Sequence, residues 1–361
     1  MQNATLGIGV IGIGNMGADH VKTITTAVSG AEVRAIADID LGRAETIASG
    51  VPGARTLSSA ENLIRAPKVD AVIIASNDAV HAQYVVATIA AGKPVLCEKP
   101  LAPTVTECES ILRAEQAAGL RLVQVGFMRR FDPGYVELRN KIASGVIGAP
   151  LLAHCAHRNF RVRDSWRPQA TIISSAVHEI DVMPWLFGRE VVAVDWLSPI
   201  PADSGKLPDP QIVILHLEGD ALVLAEILMR SRYGYEIRCE VVGEKGTVEL
   251  APAPRTVLRT ELKASQDVPP DWRDRFAEAY RLELQSWVNA IFRWRSGKAE
   301  SSPVDGPDAW DGYRAAVIAD AVVTSMSRGG RVAVESTPLP ELYRRSRAAA
   351  ASTDGRETSK T

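Results

Sequence analysis

Residues 9–17 of the chain read Gly-Val-Ile-Gly-Ile-Gly-Asn-Met-Gly, and this stretch decides the fold of its first third. Gly12, Gly14 and Gly17 fit the pattern GxGxxG, which here follows a short β-prone apolar run and opens a helix-compatible sequence. In that setting Gly12 permits a tight turn, Gly14 lets the backbone approach a pyrophosphate, and Gly17 allows close packing of helix on strand. The stretch therefore predicts a dinucleotide-binding loop.

The residues around the glycines complete a predicted nucleotide site. Asn15 and Met16 begin the helix, whose unpaired N–H groups and partial positive charge favour phosphates at its N-terminus. Asp38, followed by Ile39, lies about 20 residues beyond Gly17, at the carboxyl end of the next predicted strand. A carboxylate there accepts hydrogen bonds from both hydroxyls of an adenosine ribose and repels a 2′-phosphate. NAD is therefore the expected cofactor, while NADP is not excluded.

Strand and helix patterns alternate throughout the first third of the chain. The apolar run Val-Asp-Ala-Val-Ile-Ile-Ala at residues 69–75 is typical of a strand buried on both faces of a parallel sheet. Further strands are predicted at residues 6–13, 33–37, 94–97 and 121–126, and helices at residues 16–28, 43–49, 81–91 and 105–118. This alternation predicts a doubly wound parallel α/β sheet, a Rossmann domain over residues 1–127.

The pattern changes near residue 150, where strand-like segments begin to follow one another. They lie at residues 151–158, 191–197, 212–217, 221–229, 235–242 and 247–250, separated by Pro, Gly and Asp turns. Consecutive strands without intervening helices indicate an antiparallel sheet and an α+β domain. Two helices, residues 272–294 and 308–325, close this domain. We expect it to cover residues 128–336, followed by a polar, partly disordered tail over residues 337–361.

Composition and charge argue against several classes of protein. The 361 residues are 46% hydrophobic and 23% charged, as in a soluble globular protein of two domains. Forty-one basic and 43 acidic side chains leave a net charge of -2, so nucleic acid is not an expected partner. The N-terminal apolar run is too short and too rich in glycine to span a bilayer, and it lacks the basic start of a signal peptide. The four cysteines form no CxxC pair, so we expect buried thiols in the cytoplasm.

A second stretch of the sequence indicates a protein family more specifically than the glycine motif does. Residues 91–102 read AGKPVLCEKPLA and resemble the AGK…EKP signature of the glucose–fructose oxidoreductase/inositol dehydrogenase family. Residues 75–81, 124–133, 157–159 and 178–186 are similar to further segments of that family, in the same order. The resemblance extends from about residue 6 to about residue 335. It implies a Rossmann domain, a second domain with an open, mostly antiparallel sheet, and a homo-oligomer, usually a tetramer packed through those sheets.

The resemblance also implies roles for the loops after the fourth and fifth strands. Ser76, Asn77, His81 and Glu98 would join the glycine loop and Lys99 in holding NAD. The position of Lys99 supports a role by itself, because it follows the fifth strand at the carboxyl edge of the sheet, where ligands of such folds bind. A partly desolvated lysine beside the cationic ring of an oxidised cofactor loses its proton more readily. Lys99 is therefore predicted as the general base.

His178 opens a predicted helix and matches the catalytic histidine of the family. Asp181 lies one turn later on the same face, where it would fix the tautomer of the imidazole. Inositol dehydrogenases of the family typically carry an aspartate four residues before this histidine, whereas this chain has Ser174. A hydroxyl supplies no negative charge at this catalytic position. A cyclitol or sugar other than myo-inositol therefore becomes a candidate substrate.

Several residues of the second domain are expected to face the substrate: Met128, Arg129, His157, Asn159, Ser175, His178 and Tyr235. Arg129 would offer a fork of donors to vicinal hydroxyls, and Arg130 is expected to be structural. His154 and His157 would lie on opposite faces of a strand, so no metal site is expected. His20 is expected either on the surface or in packing.

Together these features predict NAD-dependent oxidation of a secondary ring hydroxyl of a cyclitol or pyranose to a ketone. The hydride would go to the cofactor and the proton to Lys99 or His178. Two alternatives remain at this point. One is an NAD-dependent glycoside hydrolase of the same superfamily, which would release sugar without net cofactor reduction. The other is a non-catalytic dinucleotide-binding regulator, against which the joint presence of Lys99 and His178 argues.

Overall fold

The chain forms two compact units. A computed structural model describes residues 5–251, 256–297 and 302–344. Of these residues, the first unit comprises 5–126, 280–297, 302–314 and 337–344, and the second comprises 127–251, 256–279 and 315–336. Residues 280–314, which the sequence pattern assigns to the second domain, thus pack with the first unit. The predicted disorder of the tail falls, beyond residue 344, outside the described residues.

Helices and strands lie close to where the sequence patterns place them. The helices are α1 (Asn15–Ala27), α2 (Leu41–Ser49), α3 (Ala60–Arg65), α4 (His81–Ala90), α5 (Val105–Ala118), α6 (Pro133–Ala143), the single turn α7 (Pro168–Ala170), α8 (Val177–Phe187), α9 (Trp272–Arg295) and α10 (Ala309–Arg328). The strands are β1 (Leu6–Ile11), β2 (Ala31–Ala37), β3 (Arg55–Thr56), β4 (Ala71–Ile74), β5 (Val95–Cys97), β6 (Val123–Val125), β7 (Pro150–Arg158), β8 (Val191–Leu197), β9 (Gln211–Leu217), β10 (Leu222–Leu228), β11 (Glu236–Gly243), β12 (Gly246–Glu249), β13 (Val257–Thr260), β14 (Lys263–Gln266) and β15 (Val332–Ala333). Among the described residues, no helix has both the length and the apolar character that a membrane crossing requires.

The first unit is built on a parallel sheet of six strands. Their order is β3-β2-β1-β4-β5-β6, so the chain reverses its direction of winding between β1 and β4. All residues of β1 and β4 are buried, because helices cover both faces of the sheet. The core includes Leu6, Ile8, Ile36 and Ile73, together with Trp287 from α9. The doubly wound sheet expected from the sequence is confirmed.

The second unit contains a mixed sheet of seven strands. Their order is β12-β11-β7-β10-β9-β8-β15, and β7 with β10 is the parallel pair in an otherwise antiparallel arrangement. Burial alternates along β9 and β10, as expected when one face packs on the core. The other face, here termed the open face, carries partly exposed apolar side chains: Ile212, Ile214, Leu222, Leu224 and Leu228. This α+β architecture confirms the expectation for the second domain.

The helix that carries His178 does not extend backwards as a regular α-helix. Thr171–Ala176 forms a π-helical turn between α7 and α8. Ser174 lies in this wider turn, so it does not stand one regular α-helical turn before His178 as the spacing suggests. Such π turns occur frequently at functional sites.

Candidate functional site

The three glycines of the first loop differ in why the structure has a glycine at each position. Gly12 has a φ of +87°, and a Cβ there would lie 2.5 Å from the backbone of Ser76. A Cβ on Gly17 would lie 1.8 Å from the Gly12 carbonyl oxygen. A Cβ on Gly14, by contrast, would meet nothing within 4 Å. Gly12 and Gly17 are therefore required by the chain itself, whereas Gly14 leaves open space for a ligand to approach the backbone.

The start of α1 is suited to bind an anion. Its N-cap is Gly14, and no side chain caps the helix. Gly14 and Asn15 are exposed and Met16 is half-buried, so the first N–H groups of the helix remain available to a phosphate. Together with the space at Gly14, this arrangement fits the pyrophosphate of a dinucleotide.

Asp38 is held in place by the glycine loop itself. One carboxylate oxygen accepts a hydrogen bond from Ile13 N at 2.5 Å, and the other accepts one from Asp40 N at 2.8 Å. A carboxylate has about four acceptor positions, so capacity remains for ribose hydroxyls. The neighbouring side chain of Ile39 is fully exposed. Asp38 therefore joins two loops at the sheet edge as well as offering a negative charge there.

His81 lies between the loops that follow β4 and β5. Its ring is buried, with Nδ1 2.8 Å from Pro100 O and Nε2 3.2 Å from Ser76 O. Both ring nitrogens thus face backbone carbonyls, because the ring fills the space between the loops after β4 and β5. His81 thus ties these two loops together. Asn77 accepts a hydrogen bond from Ala79 N at 3.0 Å and caps the turn that precedes α4.

Glu98 and Lys99 directly follow β5 at the carboxyl edge of the parallel sheet. Glu98 is buried, and its Oε1 lies 2.7 Å from Nε2 of His20, while its Oε2 accepts a hydrogen bond from Lys99 N at 3.3 Å. His20 is fully buried beside Tyr280, so it is a packing residue and not a surface one. Lys99 is half-buried, and its bond to Pro100 is cis. The base candidate thus lies on a loop whose neighbours are fixed by buried hydrogen bonds.

The second unit contains a buried charge cluster around Glu179. Nη1 of Arg129 donates to Oε1 of Glu179, and Nδ1 of His157 lies 3.1 Å from Oε2. Arg129 is only 1% exposed, so its charge is compensated inside the protein. We predict from the sequence that the Arg129 guanidinium binds substrate hydroxyls, but in the structure it pairs with Glu179, because a buried cation needs a buried anion.

The contacts of His157 determine which of its nitrogens carries the proton. Nδ1 lies 3.1 Å from Glu179 and 3.2 Å from Nη2 of Arg129, and a single nitrogen cannot donate to one and accept from the other. We assign the proton to Nδ1, since the carboxylate is the stronger acceptor. In the neutral ring, Nε2 is then a hydrogen-bond acceptor.

The pKa values in the cluster follow from the same geometry. Burial alone would raise the pKa of Glu179, but the charge of Arg129 and the hydrogen bond from His157 lower it to about 2. Burial opposes the charge on Arg129, yet Glu179 raises the pKa of this guanidinium above its ordinary value. Burial also raises the pKa of Tyr235, which remains a neutral phenol. The cluster is thus a stable ion pair at neutral pH.

Two of the other candidate substrate residues, His178 and Tyr235, have rings close to that of His157. The ring of His178 is centred 6.2 Å from that of His157, and the Tyr235 ring meets His157 edge-on at 5.9 Å. Asn159 is half-buried and its Nδ2 lies 3.5 Å from Sδ of Met229. His178, Ser175 and Met128 are buried and Ser174 is half-buried.

Asp181 is engaged by an arginine. Nε of Arg130 donates to one carboxylate oxygen at 3.0 Å, and Nη2 donates to the other at 2.5 Å. This two-pronged pair makes Arg130 structural, as expected. It also shows that Asp181 orients Arg130, a contact that helix spacing alone could not indicate.

Glu179 is the residue of the site that sequence reasoning missed. The signal available was its position next to His178 in a mostly apolar helix, where a carboxylate implies a buried partner. His154 is exposed while His157 is buried, and no group of metal-binding side chains occurs within the described parts of the chain.

Comparison with known proteins finds similarity over almost the whole chain. Residues 6–127 match the profile of an oxidoreductase family described as an NAD-binding Rossmann fold. Residues 139–334 match the C-terminal alpha/beta domain of the same oxidoreductase family.

Individual relatives show the same similarity. Inositol 2-dehydrogenase 3 of Saccharopolyspora erythraea is 43% identical over 341 residues, 94% of this chain and 98% of that protein. Inositol 2-dehydrogenase of Azotobacter vinelandii is 43% identical over 341 residues, 93% of this chain and 97% of that protein. The crystal structure of myo-inositol dehydrogenase from Lactobacillus casei, in complex with NAD(H) and myo-inositol, has a TM-score of 0.87 and 31% identity; the match covers 94% of this chain and 99% of that one.

Proposed function

Because the chain belongs to the glucose–fructose oxidoreductase/inositol dehydrogenase family of NAD-binding oxidoreductases, we propose that it oxidises a secondary ring hydroxyl of a cyclitol or pyranose to a ketone. The relatives support the proposal, because they are named inositol dehydrogenases and match this chain over nearly their full lengths. The proposal does not name one substrate within this class, because Ser174, on the π turn before His178, is neutral where inositol dehydrogenases of the family typically carry an aspartate.

NAD would be held by the carboxyl edge of the parallel sheet. The N–H groups that start α1 would bind the pyrophosphate beside Gly14, and Asp38 would accept hydrogen bonds from the adenosine ribose. The loops after β4 and β5 border the same edge, where Asn77 and Lys99 lie. When bound, NAD supplies the acceptor for the two electrons and the hydrogen that leave the carbinol carbon.

The protein residues handle the remaining proton. Lys99 would take the hydroxyl proton on Nζ, so that the oxygen becomes the carbonyl oxygen of the ketone. In the second unit, His178 would form a hydrogen bond with the substrate. His157, whose ring is oriented by Glu179, would contact a neighbouring part of the substrate.

One observation carries the proposal more than any other: Lys99 follows β5 at the edge of the sheet where the glycine loop leaves open space. The test is a panel of inositol isomers and pyranoses, each with NAD and with NADP, followed by the absorbance of the reduced cofactor. We expect turnover with NAD on at least one polyol. Release of sugar from a glycoside without reduced cofactor in solution would contradict the proposal, as would an absence of turnover on every member of the panel.

We also propose that copies of the chain associate through the open face of the second unit and work in the cytoplasm. Apolar side chains such as Ile214 and Leu224 remain partly exposed there, and such a surface favours association. The four cysteines are all buried and free of disulfides, which is typical of a reducing compartment.

A further inference from the structure

Two neighbouring segments of the second unit carry an excess of positive charge. β7 leads into residues 160–167, and β10 leads into residues 229–235. Backbone hydrogen bonds join the segments, from Ser231 N to Asn159 O at 2.9 Å and from Arg232 N to Phe160 O at 3.2 Å. Their basic residues, here termed the arginine patch, are Arg161, Arg163, Arg167, Arg230 and Arg232.

Most of this charge is not compensated by the protein. Asp164 is the acidic residue of the two segments, and its Oδ1 lies 3.6 Å from Nη2 of Arg230. Arg163, Arg167 and Arg232 are exposed and make no ion pair or side-chain hydrogen bond within residues 5–251, 256–297 and 302–344. Guanidinium groups concentrated in this way produce a local positive potential, although the whole chain has a net charge of -2.

The backbone at Arg232 is strained. Its φ is +64°, in the left-handed region that glycine adopts most easily. The side chain is exposed, so core packing does not require an arginine at this position. Strain that is retained at an exposed charged residue points to a function of that residue.

The arginine patch borders the candidate substrate residues. β7 and β10 are parallel neighbours, so their carboxyl ends lie at the same edge of the sheet. His157 and Asn159 occupy the end of β7, and the segment that carries Arg167 runs through α7 into the π turn of Ser174. The two carboxylates at the start of α8 already have arginine partners, so they would not repel an anion strongly.

From these contacts we infer that the substrate carries an oxyanion group, a carboxylate or a phosphate, which the arginine patch binds. The inference rests on the proposed function, since it narrows the cyclitol or pyranose to an acidic member of its class. Guanidinium groups suit this role, because their planar donors match the oxygens of carboxylate and phosphate. An uncharged polyol would leave the patch without a ligand.

The test compares pairs of substrates in which one member carries an acidic group that the other lacks. One pair is glucose and glucuronate, and the other is myo-inositol and an inositol monophosphate, so a carboxylate and a phosphate are tested separately. We expect kcat/KM to be at least about tenfold higher for the charged member of one pair. The advantage should shrink between about 20 mM and about 200 mM salt, because the patch is exposed to solvent.

Substitutions within the arginine patch test whether its residues cause this preference for charged substrates. Arg163→Gln should lower the ratio of kcat/KM for the charged member to that for the neutral member at least about fivefold. Arg232→Gly should lower the same ratio, and it should raise the melting temperature, because glycine relieves the left-handed backbone. Arg113→Gln, on the exposed side of α5 in the first unit, is the matched control and should leave the ratio unchanged.

The outcomes separate this inference from the proposed function. Oxidation of the neutral members with equal or better kcat/KM than the charged ones would overturn the inference and leave the proposed function standing. A preference for the charged members that both arginine variants retain would also overturn it. If no polyol is oxidised, the proposed function fails. Calorimetric binding of each pair in the presence of NADH then decides the inference, because equal affinities of the charged and neutral members contradict it.

Discussion

Replacing Glu179 by glutamine should destabilise the protein in a pH-dependent way. Glutamine keeps the shape of the side chain, but it carries no charge, and it replaces one of the two acceptor oxygens, which face Arg129 and His157, by an NH2 donor. Arg129, which is 1% exposed, would then be a buried cation without its anion. Removing one partner of such a pair costs about 3–5 kcal/mol.

The pKa of Glu179 gives a second route to the magnitude. Its value falls from an ordinary 4.5 to about 2, because Arg129 and His157 outweigh the effect of burial. A lowering of this size corresponds to roughly 3 kcal/mol. Since the pKa in the folded state is the lower one, this stability is fully present above about pH 4.5 and is lost as the pH falls towards 2.

The assay is urea denaturation of the wild type and of Glu179→Gln at about pH 7 and at about pH 3. We expect a loss in the free energy of unfolding of about 3 kcal/mol at neutral pH, with less than about half of it remaining at pH 3. Glu137→Gln, an exposed residue of α6, is the matched control and should change stability by less than about 0.5 kcal/mol. A loss below about 1 kcal/mol at neutral pH, or one of equal size at both pH values, would show that the charge of Glu179 does not stabilise the fold in this way.

Three further predictions concern other parts of the chain. Asp38→Asn should lower the preference for NAD over NADP at least about tenfold in kcat/KM, because it removes the charge that repels a 2′-phosphate; an unchanged preference would contradict this. Burial raises the pKa of Glu115 to about 7. The stability that the protonated carboxyl group gives to the folded protein is therefore lost as the pH rises from 4.5 through 7. Glu115→Gln should therefore be more stable than the wild type at about pH 8, by up to roughly 3 kcal/mol, and equal to it near pH 4, as denaturation at both pH values would show. Leu224→Arg, on the open face, should reduce the molar mass measured by light scattering to that of a monomer, whereas Leu120→Arg, exposed in the first unit, should not.

Much of the fold could be predicted from local patterns. β4 is a continuous apolar run because both faces of the parallel sheet are covered, and β9 alternates because one face of its sheet is open. The hairpin of β13 and β14 escaped prediction because its residues are all exposed and show no apolar alternation. The helix α6 escaped because its Asp132 cap and Pro133 resemble the beginning of a turn.

The candidate site was predictable only in part. Gly12, Asp38 and Lys99 follow strands, so topology alone brings them to one sheet edge. The pairing of Arg129 with Glu179 joins residues far apart in sequence, and no local period indicates it. The π turn at Ser174 likewise depends on the packing around it rather than on helix propensity.

The role of Lys99 as the base is best tested by the turnover of Lys99→Met with NAD and the best polyol of the panel. We expect kcat to fall by about 10²–10⁴, because the proton acceptor is lost. The dissociation constant for NAD should change less than about tenfold, because the glycine loop and Asp38 remain. A kcat within about tenfold of the wild type, with NAD still bound, would contradict the central role of Lys99.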